Sequence, residues 1–203
     1  MAAAPSATVI EDYLKAVYAH TEWQPEPITG SQLATRLALA PSTVTEMVKK
    51  LVARGLVEHE PYGAITLTAE GRMQALRTVR RHRLVETWLV RQFGYGWDEV
   101  HDEAEVLEHA VSDRLLDAMD TALGHPVADP HGDPIPDADG RVTVPRADRA
   151  DTLAADAVGV VVRISDRDPE LLRRLTQAGV DVGEEVVCGD LGQAAEAVWI
   201  ALP

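Results

Sequence analysis

Between residues 31 and 68 the chain spells a short helix, a tight turn, a second helix and a β-ribbon, a succession that few folds accept. Ser31 is an N-cap candidate, with Leu33 and Leu37 one turn apart behind it. After Ala40-Pro41, Ser42 is placed to cap the second helix, whose Val44, Met47, Val48 and Leu51 share one face. Gly55 stops that helix. Leu56-Val57-Glu58-His59-Glu60 and Ala64-Ile65-Thr66-Leu67-Thr68 then read as strands around the turn Pro61-Tyr62-Gly63. A helix over about 7–23 precedes them, marked by Val9, Ile10, Tyr13, Leu14, Val17 and Tyr18 at helical spacing.

This is the order of a winged helix–turn–helix, in which the start of the second helix reaches base edges and basic groups meet phosphates. Ser42, Thr43, Thr45 and Glu46 supply the polar groups, and Lys49, Lys50 and Arg54 the cations. The helix N-terminus adds N–H groups that favour a phosphate. A plain helical hairpin with solvated polar residues would carry the same letters. The ribbon and the local charge favour DNA: residues 27–91 hold 10 Lys/Arg against 5 Asp/Glu.

Charge over the whole chain says the opposite, with 19 Lys/Arg against 33 Asp/Glu and a net −14. Residues 1–95 hold 11 basic and 9 acidic residues, and the remainder 8 and 24. Opposite-signed halves point to one surface for a polyanion and another for cations, although acidity also simply keeps a chain soluble. At 203 residues there is room for one or two domains. Aromatics are only 4%, so Leu, Val and Ala must build the core. The single cysteine, Cys188, excludes an internal disulfide, a C-x-x-C redox pair and a multi-cysteine zinc site. No apolar run approaches the roughly 18–20 residues that cross a bilayer, and the first residues lack the basic and apolar regions of a signal peptide. A cytoplasmic protein with no membrane partner is expected.

Two long helices are predicted over about 69–93 and 98–123, parted by Gly94-Tyr95-Gly96. Residues 124–151 are rich in Pro, Gly and Asp and read as a linker or ordered loop. Val160-Val161-Val162-Arg163-Ile164 then reads as a buried strand, and 169–178 as a short helix with Pro169 in its first turn. Glu185-Val186-Val187 and Ala197-Val198-Trp199-Ile200 are further strand candidates.

The second long helix carries His101-Asp102-Glu103-Ala104-Glu105-Val106-Leu107-Glu108-His109. At about 100° per residue, His101, Glu105, Glu108 and His109 fall within an arc of about 100°. Beside them runs an apolar stripe of Val100, Ala104, Leu107, Val111 and Leu115. Carboxylates gathered at the edge of a core repel unless a cation compensates. His82 and Glu86 form a second pair one turn apart on the preceding helix. For any one residue a solvated acidic face explains as much; the whole set favours a metal ion. Glu105-x-x-Glu108-His109 resembles an inverted zinc-protease motif with glutamate where histidine is needed, which leaves a metallohydrolase as the competing class.

Five motifs in this order resemble the diphtheria-toxin-repressor family of metal-dependent transcriptional regulators, and within it the manganese transport regulator branch. They are Glu11-Asp12-Tyr13-Leu14, Pro41-Ser42-Thr43-Val44-Thr45, Tyr62-Gly63-Ala64-Ile65-Thr66-Leu67-Thr68, Arg81-His82-Arg83-Leu84-Val85-Glu86 and the 101–109 stretch. The likeness covers about residues 8–140, with a fainter echo beyond. It implies a mainly α chain. A winged helix–turn–helix DNA-binding domain would occupy 1–75, a helical metal-binding and dimerisation domain 76–145, and a small SH3-like, β-containing domain 146–203. Only about 50 residues remain for the last, so a reduced sheet lacking one hairpin is expected.

The resemblance also implies a function: a manganese-dependent repressor, not an enzyme, that binds palindromic operator DNA as a metal-activated homodimer and controls metal-ion homeostasis genes. Its activating site falls on Asp12, Glu105, Glu108 and His109. An ancillary site falls on His82, Glu86 and His101, with Asp166 and Asp168 in the stretch for further oxygen donors. The family's iron-sensing members carry methionine and cysteine at the positions of Asp12 and Glu105. Carboxylates there favour a hard ion such as Mn²⁺, with an Fe²⁺-dependent repressor as the alternative within the family. Lys15 departs from branch members that place another carboxylate one turn after Asp12, and a protonated lysine cannot ligate.

Overall fold

The first helix, α1 (Ala7–Thr21), starts at Ser6, whose Oγ accepts from the Val9 N–H, and turns Tyr13, Leu14, Val17 and Tyr18 inward. The computed structural model describes residues 5–60 and 63–203, so Pro61 and Tyr62 of the expected turn lie outside the described residues. The chain divides into two compact units, Met1–Val79 and Arg80–Pro203.

In the first unit, α2 (Gly30–Arg36) is capped by Thr29, not by Ser31. The Thr29 Oγ1 accepts from the Gln32 N–H while the Gln32 side chain returns to the Thr29 N–H, so two open donors are satisfied reciprocally. Likewise α3 (Pro41–Ala53) starts on Pro41 and has no Ser42 cap. A proline's fixed φ suits the first helical position, where its missing N–H costs nothing. One face of α3 buries Val44, Met47, Val48 and Leu51. The strands β1 (Val57–His59) and β2 (Ile65–Leu67) pair antiparallel, Val57 opposite Leu67 and His59 opposite Ile65, and Ile28 adds a bridge to Ile65. Gly71, in the first turn of α4 (Ala69–Trp88), lies so near the Leu56 carbonyl that a Cβ would overlap it.

In the second unit, the end of α4 passes into a π-helical turn, Leu89–Phe93, which Gly94 closes at φ 71°. The helix expected over 98–123 is two helices, α5 (Val100–Leu107) and α6 (Asp113–Leu123). The break has a local cause: Ser112 is extended and its Oγ accepts from the Leu115 N–H at 3.3 Å, which starts a new helix. Arg81 Nη1 donates to the Val111 carbonyl that the break exposes, at 2.5 Å. Leu115 thereby leaves the expected stripe and is exposed, whereas Val100 and Ala104 are buried.

Residues 124–147 form an ordered loop in which Asp129, His131, Asp133 and Ile135 are buried. Beyond it come β3 (Asp148–Arg149), β4 (Val158–Ile164), α7 (Pro169–Gln177), β5 (Glu185–Val187) and β6 (Val198–Ala201). The strands make one antiparallel sheet in the order β3-β6-β4-β5. β3 has no counterpart among the expected strands, and Cys188–Ala197 before β6 forms 3₁₀ turns broken at Gly192, where φ is 53° and ψ −126°. Leu172 and Leu175 of α7 pack with Val161, Ile164, Val198 and Ile200, and Trp97 from the helical part joins that core. Leu84, Val85, Leu89, Val100, Ala104, Leu116 and Ile135 form the other core of the unit. The segments expected as the second and third domains therefore fall together in one compact unit. Among the described residues, no helix is long and apolar enough to cross a membrane.

Candidate metal centre and nucleic-acid interface

On α3 of the first unit, Ser42, Thr43, Thr45, Glu46 and Lys49 are exposed and Lys50 is half-buried. Thr45 Oγ1 donates back to the Pro41 carbonyl at 2.8 Å, and Lys49 Nζ pairs with Glu46 Oε1 at 2.8 Å. Val44, Met47, Val48 and Leu51 fix the opposite face in the core, so this polar row is held outward by packing. Asp12 lies half-buried on α1 of the same unit.

The remaining candidate ligands belong to the second unit. His82 Nδ1 lies 2.6 Å from Glu108 Oε2, and His82 Nε2 lies 3.0 Å from Glu86 Oε1. His101 Nδ1 stands 3.2 Å from His82 Nε2 and 3.3 Å from both Glu86 Oε1 and Asp166 Oδ2. His101 Nε2 reaches Glu105 Oε1 at 3.5 Å, and His109 Nε2 reaches Glu108 Oε1 at 3.2 Å. Three sets each bring one ligand atom per residue within 4.8 Å of one another: His82, Glu86 and His101; His82, Glu105 and Glu108; and Glu86, His131 and Asp166. The two sites implied by resemblance thus meet at His82. Asp168 does something else: its Oδ1 accepts from the Glu170 and Leu171 N–H groups and caps α7.

His131 is the residue that the sequence reading misses. Its Nε2 faces the Trp97 carbonyl at 3.1 Å, an acceptor, so that nitrogen carries the proton. Nδ1 is buried and has no hydrogen-bond partner among the described residues. A buried ring nitrogen left without a partner, grouped with the carboxylates of Glu86 and Asp166, fits a metal ion at this point. The available signal is Asp129-Pro130-His131-Gly132-Asp133, where Asp129 Oδ1 accepts from the His131 and Asp133 N–H groups at 2.9 and 3.0 Å.

Burial works against every charge here. It would raise the Glu86 carboxyl, but the His82 charge and hydrogen bonds with His101 and His82 hold that group well below the usual range. Asp166 is likewise held low, burial being overcome by the hydrogen bond and charge of His101. His101 is pushed up to about 11: burial opposes its charge, and Asp166 and Glu86 outweigh burial. Imidazole protons hold the carboxylates together, and a divalent cation would take their place.

Three family models match the chain in order. They are the iron dependent repressor N-terminal DNA binding domain over residues 7–65, the iron dependent repressor metal binding and dimerisation domain over 68–137, and the FeoA domain over 150–198. The chain is 32% identical over 187 residues to the diphtheria toxin repressor of Corynebacterium glutamicum, covering 87% of this chain and 81% of that one. It is 34% identical over 185 residues to the iron-dependent repressor IdeR of Mycobacterium tuberculosis, covering 84% and 79%. A solved structure of a manganese-dependent transcriptional repressor in complex with manganese matches with a TM-score of 0.87 at 42% identity, covering 96% of this chain and 100% of that one. A DNA-binding domain joined to a metal-binding and dimerisation domain defines a metal-dependent transcriptional repressor, a regulator and not an enzyme. The chain belongs to the iron-dependent repressor family, that of the diphtheria toxin repressor.

Proposed function

We propose that this protein is a manganese-activated repressor that binds palindromic operator DNA as a homodimer and controls genes of metal-ion homeostasis. The observation that supports Mn²⁺ is the donor chemistry. Glu86, His101, His131 and Asp166, like Glu105 and Glu108, offer carboxylate oxygen and imidazole nitrogen only, while Cys188 is buried in the C-terminal core. Such a set suits a hard cation. The relatives include both iron- and manganese-dependent repressors. In the Irving–Williams order Fe²⁺ binds a given site more tightly than Mn²⁺, so activation decides the metal, not affinity.

The activating ion is assigned to Asp12, Glu105, Glu108 and His109, and a second ion to His82, Glu86, His101, His131 and Asp166. Asp12 belongs to the DNA-binding unit and its three co-ligands do not. One ion held by all four would make the placement of the recognition helices depend on metal. The metal-free dimer would sample separations that do not match two half-sites, and the ion would select the one that does. Ser42, Thr43, Thr45 and Glu46 would face bases, and Lys49 and Lys50 phosphates.

The test is a titration of chelated protein with Mn²⁺, Fe²⁺ and Zn²⁺ under anaerobic conditions. Binding to a palindromic duplex, selected from a random pool, is followed by mobility shift. Mn²⁺ should restore binding that chelation removes. Activation by Fe²⁺ and not Mn²⁺ would make this an iron-dependent repressor, and binding indifferent to chelation would remove metal control altogether. Asp12→Met with Glu105→Cys should move activation from Mn²⁺ towards Fe²⁺.

A further inference from the structure

Next to the second cluster lies a set of buried ionisable side chains that the metal reading does not use. Arg83, Asp129, Asp133 and Arg163 are each less than a tenth exposed. Arg163 Nε donates to Asp133 Oδ1 at 2.6 Å, and its guanidinium lies 4.3 Å from the centre of the Trp199 ring. Arg83 Nη1 donates to the Pro134 carbonyl at 2.6 Å, with Asp129 Oδ2 and Asp133 Oδ1 at 3.6 and 3.7 Å.

The placement of these groups follows that of the ligands. On α4, Arg83 precedes Glu86 by about one turn. In the 124–147 loop, Asp133 stands two residues after His131; at the end of β4, Arg163 stands three before Asp166. The helix α4, the loop and the end of β4 thus each carry a ligand and a member of the ion-pair set close together, whereas α5 supplies the ligand His101 alone. We propose that Arg83, Asp133 and Arg163 are positioning residues that hold helix, loop and strand together so that Glu86, His131 and Asp166 converge, and thereby set the affinity of that cluster for a divalent cation. This rests on the reading that these three residues help to hold an ion.

Two physical arguments carry it. Burial and the neighbouring Asp133 push the Asp129 carboxyl well above the usual carboxylate range. Buried ion pairs are poor sources of stability, because desolvation cancels most of their attraction, so stability alone does not account for burying Arg83, Asp133 and Arg163. Guanidinium groups do supply fixed, forked geometry. That geometry is needed here, because the loop has one isolated bridge, Ala128 to Pro134, and no regular structure of its own to aim His131. Two arginines grip its 129–134 segment, one from the helix and one from the sheet. Partners that orient metal ligands typically change affinity by about 10–100-fold when removed.

The experiment uses the full chain after chelation, with Mn²⁺ binding followed by calorimetry and unfolding followed thermally in chelator. The variants are Asp133→Asn, Arg163→Gln, the two together, and Glu86→Gln as the marker of the second ion. Each single change should weaken the ion that Glu86→Gln removes by about 10–100-fold, and the other ion by less than about twofold. The double variant removes both charges of the pair. It should recover thermal stability towards the parent value and yet keep the weakened ion. Recovery of both together, or second-ion affinity unchanged in all three variants, would overturn the positioning role while leaving the metal reading intact. Retention of every ion by Glu86→Gln would overturn the metal reading, and the proposal with it.

Discussion

His82 faces two ways, towards Glu108 through Nδ1 and towards Glu86 through Nε2, so it touches the ligand sets of both proposed ions. A variant at His82 therefore cannot separate them, and Glu86 can. Glu86→Gln is expected to remove one Mn²⁺ per chain in calorimetric counting and still allow full DNA binding at saturating metal. His109→Ala should abolish activation while the dimer persists; the reverse outcome would exchange driver and helper. The same cluster sets a pH dependence. His101 rises from 6.5 to about 11, so its contribution to stability is complete below about pH 6.5 and is lost as pH climbs through 11. Glu86 and Asp166 are lowered, so theirs is present above ordinary carboxylate values and lost as pH falls through the depressed ones. Chelated protein should melt highest near pH 5–6.5 and progressively lower towards pH 9. With Mn²⁺, which must displace the His101 proton, melting should instead rise over that interval. A chelated protein equally stable at pH 6 and pH 9 would show that His101 is not held protonated. His82, Glu86, His101 and Glu105 are legible in the sequence because they recur at helical spacing. His131 is not, because the contacts around it come from the distant strand β4, where the Ile164 N–H donates to its carbonyl and Arg163 pairs with Asp133, and no local pattern announces them.

Elements show the same division between local and distant causes. α3 is legible almost to the residue, since its apolar face repeats and Pro41 and Gly55 bracket it. The break between α5 and α6 is less so: Val111 and Leu115 continue the helical period across Ser112, and the cap and Arg81 override it. The 124–147 loop is legible as irregular, but its anchoring is not. Gly132 has φ 89° and lies against the Val162 carbonyl, so it needs both the left-handed conformation and the missing Cβ. Gly132→Ala should cost about 2 kcal/mol or more, measured by urea unfolding, and should weaken the second ion with it. On α3, Lys50→Ala should weaken binding to all duplexes about equally and reduce the salt slope by about 1. Thr43→Ala should alter sequence preference with the salt slope unchanged. An unaltered salt slope for Lys50→Ala would remove that lysine from the phosphate contacts.

For the molecule as a whole the question is how metal reaches DNA, since a cation can act by charge or by selecting a conformation. The chain carries −14, and residues after 95 hold 24 acidic groups against 8 basic ones. Two divalent ions would add four positive charges per chain, which by itself would ease approach to a polyanion. Exposed charges further apart than about 8–10 Å are largely screened at physiological salt, so this effect should be small. Selection of one conformation is not screened, and couplings of that kind span about 5–150-fold. Glu170, Glu184, Glu185 and Asp190 are exposed and belong to none of the ligand sets. Changing them to Gln, Gln, Gln and Asn adds the same four units of charge without touching a ligand. The quadruple variant should bind operator DNA only slightly better without metal, and Mn²⁺ should still activate it as strongly as the parent. If instead it bound DNA tightly after chelation and lost its response to Mn²⁺, charge neutralisation would be the whole of the switch. The ligands on α4, in the loop and just after β4 would then serve only to hold charge.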